Sequence, residues 1–312
     1  MKEIKDGIVF SNDINRILNG YNALDFNYKD IGLIVPNNDF IEYLRKDFLK
    51  CTKNIFDEVT IVEEDNLLDI ASRLENIYFS KLPIVSLDKI YFDKNKTIFL
   101  DCTRLDGTNL VVSRNNSNDL SDVNRQIKNI SNVLNSIGEN KIILADDVVY
   151  SGNVLKTIIE LFKNNNIEVV GIVGLIISSE SYNYFKELEL GIMSGYIMSD
   201  RVIDQICERD FYFGIPCSGI SIIKNNQIYK APYFKPFGNP VERASIPECY
   251  EDEFSKSCVN RSILLWEEIE RLSKRDVDVK ELPERINNLS GGNVVKVLRK
   301  ELNNYDTNRN NG

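Results

Sequence analysis

Two adjacent carboxylates and a glycine-containing loop lie between an apolar strand and an amphipathic helix near the middle of the sequence. The pattern predicts a buried strand at Lys141–Ala145, a tight loop at Asp146–Asn153 and a helix at Val154–Lys163. Asp146 and Asp147 therefore come at the carboxyl end of a strand. Open α/β sheets bind their ligands at this end, so the pair is placed to contact a small molecule.

The loop itself is suited to bind an anion. It carries the hydroxyl of Ser151 and the small residue Gly152, and it leads into a helix whose first N–H groups attract negative charge. Carboxylates beside an anion would repel it, unless they face the vicinal hydroxyls of a sugar with Mg²⁺ nearby. The pattern therefore indicates a phosphorylated sugar. The alternative is an acidic helix N-cap of the kind found in many α/β proteins.

The segment Asp146–Val154 (DDVVYSGNV) resembles the phosphoribosyl-pyrophosphate (PRPP) signature of the type I phosphoribosyltransferases. It looks close to the form with a loop tyrosine seen in pyrimidine-operon regulators with uracil phosphoribosyltransferase activity. The resemblance implies that Asp146 and Asp147 hold the ribose 2′- and 3′-hydroxyls. Mg²⁺ would be held through PRPP, with the same two residues as candidate ligands. The implied 5′-phosphate loop consists of Val149, Tyr150, Ser151, Gly152, Asn153 and Val154.

The sequence departs from the family pattern at the end of this loop. The family often has Thr where this chain has Val154, which removes one hydroxyl contact to the phosphate. The resemblance also implies a pyrophosphate loop, for which the best candidate follows the strand Ile98–Asp101. Its candidate residues are Thr103, Arg104, Asp106 and Gly107. The usual glycine pair is absent there, and an ordinary turn is an equally good interpretation.

The resemblance further implies a hood that supplies an aromatic ring to stack on the base. By position Phe211 or Tyr212, within Glu208–Gly219, could take this role. The alternative is that these rings pack the interior of a second subdomain.

Composition excludes several mechanisms. The chain has no histidine, which excludes Ser-His-Asp and Cys-His triads. Its formal net charge is −9, and no basic block lies on a predicted helix face, so a nucleic acid polymer is disfavoured as a partner. The six cysteines form no C-x-x-C pair, and free thiols are expected.

No apolar run reaches the roughly 20 residues of a membrane span. The polar N-terminus lacks a signal-peptide pattern, and we expect a cytoplasmic protein with no membrane partner.

Strand and helix patterns alternate along the chain, as in an α/β sheet. Ile31–Pro36 and Val59–Val62 predict strands, and each is followed by a helical stripe. Arg261–Lys274 predicts a helix with the only tryptophan, Trp266. We divide the chain into N-terminal α/β additions (1–95), a phosphoribosyltransferase-like core (96–180), an aromatic-rich C-terminal hood with helices (181–302) and a disordered polar tail (303–312).

The sequence therefore predicts a type I phosphoribosyltransferase-like α/β fold. A mostly parallel sheet would be flanked by helices, and the N- and C-terminal additions would form the hood. The first functional hypothesis is an enzyme that uses Mg²⁺ and transfers a phosphoribosyl group between PRPP, or a nucleotide, and a small nitrogen base. The alternatives are a catalytically silent PRPP- or nucleotide-sensing module, or a component of a specialised nucleotide-processing or defence pathway. A homodimer is left open.

Overall fold

The computed structural model describes residues 1–21, 23–24, 26–78, 81–105, 111–112, 122–225 and 227–309. Its strands are β1 (Lys2–Ile4), β2 (Gly7–Ser11), β3 (Val59–Val62), β4 (Ile84–Ser86), β5 (Thr97–Phe99), β6 (Thr103–Arg104), β7 (Val111–Val112), β8 (Lys141–Val149), β9 (Glu168–Ser178), β10 (Gly191–Met198), β11 (Val202–Cys207), β12 (Ile220–Lys224) and β13 (Gln227–Ala231). Its α-helices are α1 (Ile14–Leu18), α2 (Asn38–Lys53), α3 (Glu64–Tyr78), α4 (Asp122–Ser136), α5 (Asn153–Lys163), α6 (Ser179–Glu187), α7 (Pro240–Ala244), α8 (Glu251–Ser273) and α9 (Val294–Arg309). Short 3₁₀ turns occur at Tyr28–Ile31, Glu208–Phe211, Glu248–Tyr250 and Val279–Glu281.

The chain forms two compact units, and each is built from two separate segments. The first unit consists of Met1–Asp6 and Val62–Ile203, and the second of Gly7–Ile61 and Asp204–Gly312. The boundaries of these units differ from the domain ranges predicted from the sequence. The first six residues belong to the sheet of the first unit, and the chain then enters the second unit. Among the described residues, no helix has both the length and the apolar character needed to cross a membrane.

The first unit is organised around one sheet. Within the described residues, its six strands lie in the order β1-β10-β9-β8-β4-β5, and every neighbouring pair is parallel. This confirms the predicted α/β fold with a parallel sheet flanked by helices. Parallel strands need crossover connections, and α4, α5 and α6 lie in those from β5 to β8, β8 to β9 and β9 to β10. All six carboxyl ends lie at the same edge of the sheet.

The apolar stripes of the helices pack on this sheet. α4 and α5 carry their buried residues at helical spacing and bury them against β8 and β9. The resulting core includes Ile127, Leu134, Ile142, Leu144, Leu155, Ile158, Phe162 and Ile172. Because β8 lies in the middle of the sheet and within this core, the residues at its carboxyl end have a rigid support.

The second unit contains the three-stranded sheet β11-β2-β3, the hairpin β12–β13 and the packed helices α8 and α9. The prediction of a strand at Ile31–Pro36 is wrong. There, side chains from distant positions bond the main chain: Ser273 Oγ accepts from the Ile34 N–H at 2.8 Å, and Arg275 donates to the Ile31 carbonyl at 2.8 Å. These contacts take the place of ladder bonds, and the segment stays irregular.

Two further predictions in the second unit need correction. The helix with Trp266 begins at Glu251, ten residues before the predicted start (261 − 251). The polar composition after residue 302 predicts a disordered tail, but α9 continues to Arg309. The helix is anchored by Tyr305, whose hydroxyl donates to the Lys235 carbonyl at 2.7 Å. Residues 310–312 lie outside the described part of the chain.

Candidate functional site

Asp146 and Asp147 lie within β8 rather than in the loop after it. β8 continues four residues past the predicted end, to Val149, because it stays paired with β9. Its other neighbour, β4, ends with Ser86 opposite Ala145. From Asp146 onward β8 therefore pairs with β9 but extends beyond β4. The two carboxylates are held by a regular strand that projects past its neighbour, at the ligand-binding edge of the sheet.

The two carboxylates leave opposite faces of the strand, because successive side chains of a β-strand alternate. Asp146 is on the face of Ile142 and Leu144, which belong to the core under α4 and α5. Each carboxylate also accepts a local N–H: Asp146 Oδ1 accepts from Asp147 at 3.1 Å and Asp147 Oδ1 from Val148 at 2.8 Å. Both side chains are half-buried. A ligand on one face of regular β8 therefore meets one carboxylate more directly than the other.

The loop after β8 is short and leads into an open helix N-terminus. α5 begins at Asn153, one residue before the prediction, and its N-cap is Gly152 with φ +66°. Gly152 has no side chain to cap the helix, and Ser151 Oγ approaches the Asn153 nitrogen only at 3.5 Å. The Lys156 N–H bonds the Gly152 carbonyl at 2.9 Å, so the N–H groups of the three preceding residues have no partner within the helix. Such a turn can bind an anion through its main chain.

Side chains of the predicted phosphate loop divide between the core and the solvent. Val149 is buried and Val154 packs against the core, so only their main-chain groups can contact a ligand. Asn153 is exposed at the first helical position, and Tyr150 is 42 % exposed. The Tyr150 hydroxyl donates to the Ile203 carbonyl at 3.2 Å, a bond within the first unit. Phosphate binding here must rely on amides and on Ser151.

A family comparison agrees with this geometry. The family model of the phosphoribosyl transferase domain matches residues 100–186, a range that contains β8, the loop, α5, β9 and most of α6. This region is similar to the phosphoribosyl transferase domain. The match confirms the resemblance to the type I phosphoribosyltransferases that the DDVVYSGNV segment predicts. A comparison with curated proteins found no match to the chain.

The structure describes only part of the predicted pyrophosphate loop. Thr103 pairs with Val112, and the main chain of Arg104 pairs with Val111, in the antiparallel ladder of β6 and β7. The side chain of Arg104 and the residues Asp106 and Gly107 lie outside the described part. Their assignment to pyrophosphate stays a prediction.

Lys89 is a candidate that the sequence patterns miss. It follows β4, the neighbour of β8, and therefore lies at the same edge of the sheet as the two carboxylates. Its Nζ is 3.5 Å from Asp101 Oδ1, beyond the end of β5, and both side chains are largely buried. Asp88 next to it accepts the N–H groups of Ile90 and Tyr91. The signal is weak in sequence, because β4 has only three residues and no recognisable motif follows it.

The two predicted base-stacking rings are located in the interior of the second unit. Phe211 and Tyr212 are both 0 % exposed. The ring of Phe211 contacts Phe48 at 5.1 Å and Phe254 at 5.2 Å between centroids. Burial raises the pKa of the Tyr212 hydroxyl, and the negative charge of Glu208 raises it further. These contacts are what the alternative interpretation, core packing, predicts. With no exposed ring face, neither residue enters the proposal below.

Proposed function

We propose that this protein binds PRPP together with Mg²⁺ and transfers the phosphoribosyl group to, or from, a small nitrogen base. The observation that carries the proposal is the arrangement at the end of β8: two carboxylates on a strand and, shortly after it, an open helix N-terminus entered through left-handed Gly152. The family match over the same residues supports it. Carboxylates suit sugar hydroxyls and N–H groups suit phosphate, and ribose 5-phosphate carries both.

The main chain from Ser151 to Val154 would hold the 5′-phosphate, and Asp146 and Asp147 would hold the 2′- and 3′-hydroxyls. A hydrogen bond to a charged group contributes about 1.5–3 kcal/mol, so a few of these account for micromolar affinity. The binding would be largely preorganised, because β8 and α5 are anchored in the core of the first unit.

Lys89 would meet the pyrophosphate of PRPP. Lys89 follows β4, the neighbour of β8 in the sheet, and its Nζ lies 3.5 Å from Asp101 Oδ1. A flexible lysine suits a diphosphate, because its ammonium group can act as a point charge on several oxygens. Pyrophosphate binding would draw Lys89 away from Asp101, or share it between the two.

The residues present fit Mg²⁺ bound through the substrate. Among the described residues, no three His, Cys, Asp or Glu side chains form a metal-binding group. Mg²⁺ commonly uses one or two carboxylates plus phosphate oxygens, and Asp146 and Asp147 could supply the carboxylates. The ion, when bound, neutralises charge on the leaving pyrophosphate.

The transfer needs no covalent intermediate with the protein. The bond between ribose C1′ and the pyrophosphate oxygen breaks, and its electron pair leaves with pyrophosphate. A nitrogen of the base supplies the electron pair of the new C1′–N bond, and the proton of that nitrogen is released to solvent. The acidic pair holds the ribose and stabilises positive charge that develops on it. Lys89 holds the departing pyrophosphate. This chemistry requires no histidine, which agrees with the composition.

A catalytically silent PRPP or nucleotide sensor is the second candidate, and the buried Lys89–Asp101 pair favours it because the cation is already neutralised. Release of pyrophosphate distinguishes the two. The chain is incubated with PRPP, Mg²⁺ and each of a panel of purine and pyrimidine bases. The enzyme hypothesis predicts pyrophosphate release with at least one base and its loss in the double variant Asp146→Asn, Asp147→Asn. Binding of PRPP without release under every condition would support the sensor.

A further inference from the structure

Two serines at the start of α6, the N-cap Ser178 and the helical Ser181, hold the Tyr150 carbonyl of the phosphate loop. The Tyr150 carbonyl oxygen accepts from Ser178 Oγ at 2.5 Å and from Ser181 Oγ at 2.6 Å. A carbonyl oxygen has two lone pairs, so both bonds can form at once. Ser178 also caps α6, because its Oγ accepts the N–H of Ser181 at 3.0 Å. The three residues form a closed set of hydrogen bonds between the loop and the start of α6.

These bonds set the direction of the next amide. The peptide between Tyr150 and Ser151 is trans, and in a trans peptide the C=O and the N–H point in opposite directions. Because the Tyr150 carbonyl points to α6, the Ser151 N–H points away from α6. A rotation of this peptide by half a turn would exchange the two groups, and would present a carbonyl oxygen where the N–H now lies.

The position of Gly152 identifies α6 as the closed side of the loop. A Cβ at Gly152 would lie 2.9 Å from Phe185 Cε2 and 3.2 Å from Ser181 Oγ, so side chains of α6 fill that side. The Ser151 N–H is directed to the opposite side. That side is where a phosphate must approach if the loop binds one.

We propose that Ser178 and Ser181 are positioning residues for phosphate. They hold the Tyr150 carbonyl away from the ligand and thereby aim the Ser151 N–H at it. This rests on the proposed function, since it assigns a role toward the 5′-phosphate of the same ligand. It extends the site beyond the loop residues, to a helix that follows the next strand of the sheet. Neither serine touches the ligand.

Calorimetric titration of the full chain with ribose 5-phosphate tests the proposal. Ser181→Ala removes only the hydroxyl donor, and we expect its affinity to fall about tenfold, the equivalent of one charged hydrogen bond. Ser178→Ala should give a similar loss, whereas Ser178→Thr keeps both the donor and the helix cap and should bind like the original chain. Ser136→Ala is the matched control. It removes an exposed serine–carbonyl bond of 2.7 Å in α4 and should leave the affinity unchanged.

The results separate this inference from the function on which it rests. Unchanged affinity in both alanine variants, with a lowered thermal midpoint, would show that the serines only stabilise the fold and would overturn the inference alone. An equal loss in Ser178→Thr would do the same, since the retained hydroxyl should rescue binding. If the unsubstituted chain does not bind ribose 5-phosphate, the proposed function fails and the inference fails with it.

Discussion

Gly152 lies against the ring of Phe185, so closely that a Cβ at this glycine would be 2.9 Å from the ring carbon Cε2. The glycine also has a φ of +66°, which side-chain-bearing residues rarely adopt. From the sequence, we expect Gly152 to let a phosphate approach the main chain closely. The structure adds a separate reason: the loop must pass over α6 without a side chain between them.

We therefore predict that Gly152→Ala destabilises the protein more than an alanine at another left-handed glycine. Gly138 has φ +76°, and a Cβ added there would meet no atom within 4 Å, so Gly138→Ala measures backbone strain alone, about 1–2 kcal/mol. Gly152→Ala adds the overlap with Phe185, about 1–3 kcal/mol more. Urea unfolding of both variants measures the difference. Equal losses would show that Phe185 moves aside without cost.

The alternation of β8 predicts unequal roles for the two carboxylates. Asp146→Asn and Asp147→Asn each keep the side-chain shape and can still accept the local N–H through the amide oxygen. Because the two side chains leave opposite faces, we expect their effects on ribose 5-phosphate affinity to differ by about tenfold or more, the value of one charged hydrogen bond. Calorimetric titration of the single variants checks this. Equal losses would mean that the strand twists to present both carboxylates together.

Lys89 should act on PRPP but not on ribose 5-phosphate, which has no pyrophosphate. We expect Lys89→Gln to weaken PRPP affinity by about tenfold or more and to leave ribose 5-phosphate affinity unchanged. Asp101→Asn serves as the matched variant. It removes the partner of Lys89 but keeps the main-chain bonds of Asp101 to Gln126, and its PRPP affinity should be equal or higher. Equal weakening of both ligands by Lys89→Gln would place the lysine outside the pyrophosphate site.

The raised pKa of the buried Glu75 carboxyl predicts that its contribution to stability depends on pH. Burial raises the pKa of this carboxyl above its usual 4.5, although the N–H of Asp93 and the hydroxyl of Thr97 act in the other direction. A raised pKa in the folded state gives stability below pH 4.5 that is lost as the pH rises through the folded pKa. Glu75→Gln can accept both bonds through its amide oxygen and carries no charge. It should therefore gain stability over the original chain at pH 7 and show little gain near pH 4.

The free energy of unfolding in urea at these two pH values measures the effect. Exposed Glu160 in α5 supplies the control, since Glu160→Gln should leave the stability nearly unchanged at both. A destabilised Glu75→Gln at pH 7 would show that the ionised carboxylate is favourable where it lies.

The local unit from β8 to β9 is predictable from sequence because periodicity and loop chemistry agree there. Val59–Val62 and the helix α3 that follows it are also found, within a few residues, from their apolar spacing. The end of β8 is misplaced because pairing with β9 overrides the loop preference of two aspartates. The prediction of a strand at Ile31–Pro36 fails for the converse reason: its apolar residues favour a strand, but within the described part of the chain no strand pairs with them.

Long-range relationships are what the sequence leaves out. The contact of Ser178 and Ser181 with Tyr150 joins residues about thirty positions apart, and no local pattern signals it. The same holds for Lys89, which becomes a candidate only when β4 is known to lie beside β8. From its position in the chain, Phe211 is predicted to stack on the base of the ligand. In the structure its ring packs against other aromatic rings of the second unit.

The central claim is that the end of β8 and the start of α5 bind the phosphoribosyl group of PRPP. Calorimetric titration of the full chain with PRPP in the presence of Mg²⁺ tests it most directly, with the double variant Asp146→Asn, Asp147→Asn as the comparison. We expect one PRPP bound per chain in the original protein. The double variant should keep its thermal midpoint but show no measurable binding. Absence of binding in the original chain, or equal affinity in the two proteins, would contradict the assignment.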